Sequence, residues 1–205
     1  MKPIRTSFAL LAVLLVAASP LVAKKGGGPP TSPGKYSDWA DEIDRLEVVE
    51  SFKLADYNRI VVTQLDAGDV GLPSEDDNTY TAVKQVLGDT ATPLVEGMRE
   101  AEGKKLPAEV GAADASAAGT LLLRGKVLEM DPGSRAARYW GGFGAGSART
   151  KISGEVVDAA SGKVLLRFTQ ERRSGVGVGG GGYPQLMNRN LRKIGEDVVL
   201  ILQAF

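Results

Sequence analysis

The sequence predicts an α+β domain with a mainly antiparallel sheet, helices packed on one of its faces and a helix at the C-terminus. Three observations carry that prediction. Residues 147–173 read as two alternating strands around a turn, residues 184–205 carry an apolar stripe at helical spacing, and helix-like segments between residues 79 and 98 separate two runs rich in branched apolar residues.

Taken in order, the chain opens with Met1-Lys2-Pro3-Ile4-Arg5, an apolar run from Phe8 to Ala18, and Ser19-Pro20-Leu21-Val22-Ala23. Charged start, apolar centre and small-residue end are the pattern of a secretory signal peptide over residues 1–23. The apolar run is too short for a spanning helix, which needs roughly twenty such residues. Cleavage is expected after Ala23, with cleavage after Ala18 as the alternative. Residues 24–36 hold three prolines and no aliphatic side chain to bury, so they read as a flexible linker, and residues 37–205 as one domain.

Within that domain, Ser37 and Asp38 are placed to cap a short helix carrying Trp39, Ile43 and Leu46 at spacings of four and three. Leu46, Val48, Phe52 and Leu54 then share one parity, which predicts a short strand or extended lead-in. The β-branched run Arg59–Leu65 predicts a central strand closed by Asp66-Ala67-Gly68. Residues 74–78, Ser-Glu-Asp-Asp-Asn, lack the alternating ligands and terminal glutamate of a calcium loop and read as a solvated helix start. Helices are expected from Thr79 to Leu87 and after Pro93, and partial helix around Ala108 to Ala113. Thr120–Met130 predicts a strand beside Ile60–Leu65. Ser147–Val157 alternates, with Ala148, Thr150, Ile152 and Val156 on one side and Arg149, Lys151 and Glu155 on the other. With Lys163–Arg173 it predicts a hairpin turning at Asp158–Gly162. In the terminal helix Met187, Leu191, Ile194, Val198, Ile201 and Phe205 form one face.

Net charge is zero, yet residues 24–118 hold ten basic and eighteen acidic side chains against thirteen and seven in residues 119–205. Either the halves complement each other within one fold, or the basic half meets an anionic partner. There is no cysteine and no histidine. That removes disulfides, zinc–thiolate sites, a thiol nucleophile, the commonest general base and thiol lipidation.

The stretch best suited to recognition is Asp131–Gly146. Gly133, Ser134, Arg135, Arg138, Tyr139, Trp140, Phe143, Gly144 and Gly146 combine backbone freedom, positive charge and flat apolar surface. A second glycine cluster, residues 175–182, is its expected spatial neighbour. Neither is a nucleotide loop. The first leads into a strand; the second follows a hairpin, and no P-loop lysine and serine accompany it. No catalytic residue, metal ligand or cofactor is assigned. The carboxylate pairs Glu129 with Asp131 and Glu155 with Asp158 leave a hydrolase as the least favoured alternative.

From about Leu121 onward, the succession Pro132-Gly-Ser-Arg-Ala-Ala-Arg138, Gly142-Phe-Gly-Ala-Gly146, a hairpin turning at Asp158–Gly162, a glycine-rich loop and a final helix resembles a family of small bacterial envelope proteins, often lipoproteins, described only as a domain of unknown function. The Ile60–Leu65 strand fits its opening. The resemblance implies a cell-envelope location and an α+β fold distantly similar to the amino-terminal domain of the Tol-system translocation protein and to curli-secretion lipoproteins. The family brings no catalytic residues. Without a lipid-bearing cysteine, a periplasmic or secreted protein is expected. The function expected is non-enzymatic binding of an envelope component or partner protein through the loop, with no nucleic acid and no transmembrane segment after signal cleavage. The alternative is an assembly subunit that oligomerises.

Overall fold

In the computed structural model, residues 22–23, 31–37, 39, 43–103, 106–112, 117–134, 146–174 and 182–205 are described. The strands are β1 (Val22–Ala23), β2 (Gly34–Ser37), β3 (Arg45–Val48), β4 (Arg59–Val62), β5 (Ala108–Val110), β6 (Thr120–Asp131), β7 (Ala148–Asp158) and β8 (Val164–Ser174). The α-helices are α1 (Tyr80–Leu87), α2 (Ala91–Glu100) and the terminal α3 (Tyr183–Leu202). All strands join one sheet in the order β1-β2-β3-β8-β7-β6-β4-β5.

The sheet is mixed, which corrects the expectation of a mainly antiparallel one. β6, β7, β8, β3 and β2 pair antiparallel in succession. However, β4 runs parallel to both β5 and β6, and β1 parallel to β2. The reason is a crossover: α1 and α2 carry the chain from the end of β4 back to its start, so β5 can only be added in the same direction. The same topology overrides the helical reading of residues 108–113, because Ala108, Glu109 and Val110 complete the edge beside Ile60, Val61 and Val62.

Two other local expectations change. Gly34–Ser37 is a strand, so the sheet includes part of the segment read as a linker, and Ser37 lies in β2 rather than at a helix cap. Leu46 lies in β3, where pairing with Phe168 buries it. Most of the proposed cap region, residues 38 and 40–42, lies outside the described residues. Four expectations match closely: β4 beside β6, the β7–β8 hairpin turning at Asp158–Gly162, α1 and α3.

Strand period decides which side chains reach the core. On β7, Ala148, Thr150, Ile152 and Val156 are buried towards the helices. The α3 stripe of Met187, Leu191, Ile194, Val198 and Ile201 closes over them, with α1 and α2 packed beside it. Two glycines let α2 and α3 approach. A Cβ on Gly97 would lie 1.9 Å from the Arg192 carbonyl oxygen, and one on Gly195 would lie 2.2 Å from that of Leu94. A smaller apolar cluster of Val61, Leu122 and Val157 sits on the opposite side of the sheet.

Candidate functional site

The described ends of the Asp131–Gly146 loop form a pinned neck. Asp131 accepts the Gly133 N–H through Oδ1 at 2.8 Å, and the Ser134 N–H donates to the Gly146 carbonyl oxygen at 3.2 Å. Gly133 and Gly146 both have left-handed backbone, with φ of 71° and 70°. Only glycine fits the first position, since a Cβ on Gly133 would stand 2.2 Å from the Gly146 oxygen. Pro132 is buried beside it. Of the residues assigned to the site, Gly133, Ser134 and Gly146 are therefore brought together. Arg135, Arg138, Tyr139, Trp140, Phe143 and Gly144 lie outside the described residues.

Strand register brings Ser174, where the second glycine-rich connection starts, to the same end of the sheet. Asp131 pairs with Arg149 and Arg149 with Arg173, while Ala148 pairs with Ser174, so the connections 132–147 and 175–182 leave the sheet from three adjacent strands. One side chain holds both exits. Asn190 on α3 accepts from Ser174 Oγ at 2.6 Å and donates through Nδ2 to the Ala148 carbonyl oxygen at 3.2 Å and Thr150 Oγ1 at 3.4 Å. Asn190 is only 1 % exposed. Seven residues on, the equally buried Asp197 accepts from Arg172 Nε at 2.6 Å, again from the second terminal nitrogen of Arg172, and from Gln170 Nε2 at 2.7 Å. Burial pushes the Asp197 carboxyl above the usual range despite the arginine. Sequence reading passed over both residues. Their signal was a polar side chain three positions after a stripe residue, Met187 and Ile194.

Pro73, Asp77, Asn78, Thr79 and Tyr183 face the neck across a shallow cleft. The acidic segment thus borders the loop. Asp77 is committed locally: the Thr79 hydroxyl and amide donate to it at 2.6 and 2.7 Å and hold its carboxyl below the usual range.

The carboxylates considered for hydrolysis are each engaged. Glu129 accepts from Arg149 at 3.2 Å, and Asp131 holds the neck. Burial opposes the charge on Glu155, but hydrogen bonds from Arg167 and Arg124, both at 2.9 Å, outweigh it and lower its carboxyl. The Ser161 amide, followed by the Tyr57 hydroxyl, lowers that of Asp158; the Tyr57 phenol is itself raised by burial and by Asp158.

Part of the charge contrast between the halves is met inside the fold. Lys163 pairs with Glu50 at 3.3 Å, Arg167 with Glu47 at 3.6 Å, and Arg192 with Glu96 at 2.8 Å. Each of these joins a basic residue of the second half to an acidic one of the first. Among the described residues no cluster of three or more potential metal ligands is found, and no helix is long and apolar enough to cross a membrane.

With this architecture, the chain belongs to a family described as a domain of unknown function (DUF4410), whose model matches residues 59–178. Among solved structures it is similar to a PelC dodecamer from Paraburkholderia phytofirmans, at 14% identity over 76% of this chain and 95% of that one, with a TM-score of 0.42. It is also similar to a hypothetical protein from Chlamydia trachomatis, at 10% identity over 72% and 99%, TM-score 0.42. A protein from Xanthomonas campestris, of family DUF330, follows at 12% identity over 71% and 84%, TM-score 0.37. No curated protein matches the sequence.

Proposed function

We propose that this protein is a non-enzymatic, periplasmic or secreted component of the bacterial cell envelope that binds an envelope component or partner protein through the loop between β6 and β7. The observation that carries this reading is the neck. Two positive-φ glycines and paired backbone and carboxylate hydrogen bonds fix where the loop leaves a rigid sheet. A fixed point of departure for a sequence rich in arginine and aromatic residues lowers the ordering cost of recognition. The lowered carboxyls of Glu155 and Asp158 speak against that pair as a hydrolytic acid and base, since glycoside hydrolysis requires one carboxyl raised to hold a proton.

The test is capture of partners by photocrosslinking from envelope extract. Arg135→Ala with Arg138→Ala should abolish capture while leaving the fold intact. Unchanged capture by that pair would end the proposal. Gly133→Ala, which strains the neck, should cost about 2 kcal/mol in chemical denaturation and weaken capture as well.

A further inference from the structure

The outward face of the sheet is laid out in cross-strand rows, and one row differs from its neighbour in a way that points to a ligand. In the first, Lys35, Glu47, Arg167, Glu155 and Arg124 stand opposite one another on five successive strands, so charge alternates and each acid lies between two cations. In the next, the same five strands place Ser37, Arg45, Thr169, Ser153 and Lys126. This row contains three hydroxyls, two cations and no acid, and its Lys126 end pairs with Asp69 at 3.8 Å. Arg45 is exposed and has no ion pair among the described residues.

Beyond the hydroxyls, Lys151 and Arg149 of β7 are met by Glu171 of β8 and Glu129 of β6. Arg173 lies directly opposite Arg149, a like-charge pair that is unfavourable unless an anion bridges it. Glu171 is that anion. It accepts from Arg173 Nε at 2.8 Å and Arg149 Nε at 3.4 Å, with Lys151 Nζ at 3.9 Å. Ser37, Arg45, Thr169, Lys151 and Arg173 line one groove around this carboxylate. Asp44 lines it too, but one of its oxygens accepts the Glu171 amide at 2.7 Å.

We infer that this groove is a binding site for an oxyanion group, a phosphate, sulfate or carboxylate, carried on an anionic polymer. Arg45 and Arg173 grip the group from opposite rims, the Ser37 and Thr169 hydroxyls donate from the floor, and Lys151 supplies a point charge. The Glu171 carboxylate occupies the position of such a group and competes with it. None of these residues belongs to the β6–β7 loop, so the inference stands or falls separately from the function proposed above.

Isothermal titration of the purified protein with sodium sulfate at low ionic strength tests it, followed by polyphosphate, dextran sulfate and polygalacturonate to separate the three sources of oxyanion. Arg45→Ala with Arg173→Ala should weaken binding at least about tenfold, as expected for losing charge-assisted hydrogen bonds. Glu171→Gln should tighten it several-fold, and affinity should fall as salt rises. Arg124→Ala, on the alternating row, should leave it unchanged. The inference is overturned if neither the parent nor Glu171→Gln binds any of the four anions. It is equally overturned if the Arg45 and Arg173 pair of substitutions has no effect, or if Arg124→Ala weakens binding as much as they do.

Discussion

On β7, Ile152 and Val156 face the helices and are fully buried, while Lys151 and Glu155 on the same strand face outward and remain partly exposed. The two faces of this sheet therefore answer to different physics. The inner one is close-packed, where a single atom has nowhere to go. Apart from the small cluster of Val61, Leu122 and Val157, the outer one is a lattice of charges in water, where each pair contributes little and salt screens it. The lesson is that stability resides on the helix-covered face, leaving the open face free to vary its charge pattern, as the two adjoining rows do.

Substitutions should expose that difference in order of size. Gly97→Val pushes a side chain into the α3 backbone and should destabilise by about 4 kcal/mol, a shift visible as a large fall in the denaturation midpoint. If the variant were as stable as its parent, the helix contact would not be as close as described. Asp197→Ala should cost about 3 kcal/mol, because it leaves Arg172 and Gln170 without their buried acceptor. Asp197→Asn should cost much less. Burial raises the folded carboxyl, so the stability it contributes is complete below its ordinary value of 3.8 and is lost as pH rises through the folded value. Stability curves of wild type and Asp197→Asn should therefore draw together as pH rises from about 3, and divergence in that direction would refute the account.

The smallest effect belongs to the outer face. Glu155→Gln should cost less than about 1 kcal/mol at neutral pH and low salt, even though two arginines reach this carboxylate. Its folded carboxyl is lowered, so the contribution is present above its ordinary value of 4.5 and fades as pH falls through the folded one. Differential stability measured against pH and sodium chloride checks both statements. A deficit that survived high salt would mean that the outer face is more rigid than a solvated lattice.

Much of this could be read from the chain. The β7–β8 hairpin and the α3 stripe are local patterns, since period two and period 3.6 each show within a dozen residues. The neck glycines also stood out, because few residues tolerate φ near +70°. Residues 108–110 misled, for alanine and glutamate favour helix, and only the vacancy beside β4 makes them a strand. The roles of Asn190 and Asp197 could not be foreseen either. Their partners Ser174, Ala148, Arg172 and Gln170 lie 16 to 42 residues away along the chain.

The sequence by itself determined the antiparallel hairpin, the terminal helix, the absence of thiol and imidazole chemistry, and the position of the loop between two strands. These follow from side-chain type and spacing along a short stretch. Tertiary structure alone decided the parallel edge, the joint exit of the two glycine-rich connections, and the row that sets Arg45, Thr169 and Ser153 side by side. Register between strands distant in sequence is settled by which apolar faces can be buried together. The juxtapositions on the opposite face follow from that burial, and no local pattern encodes them.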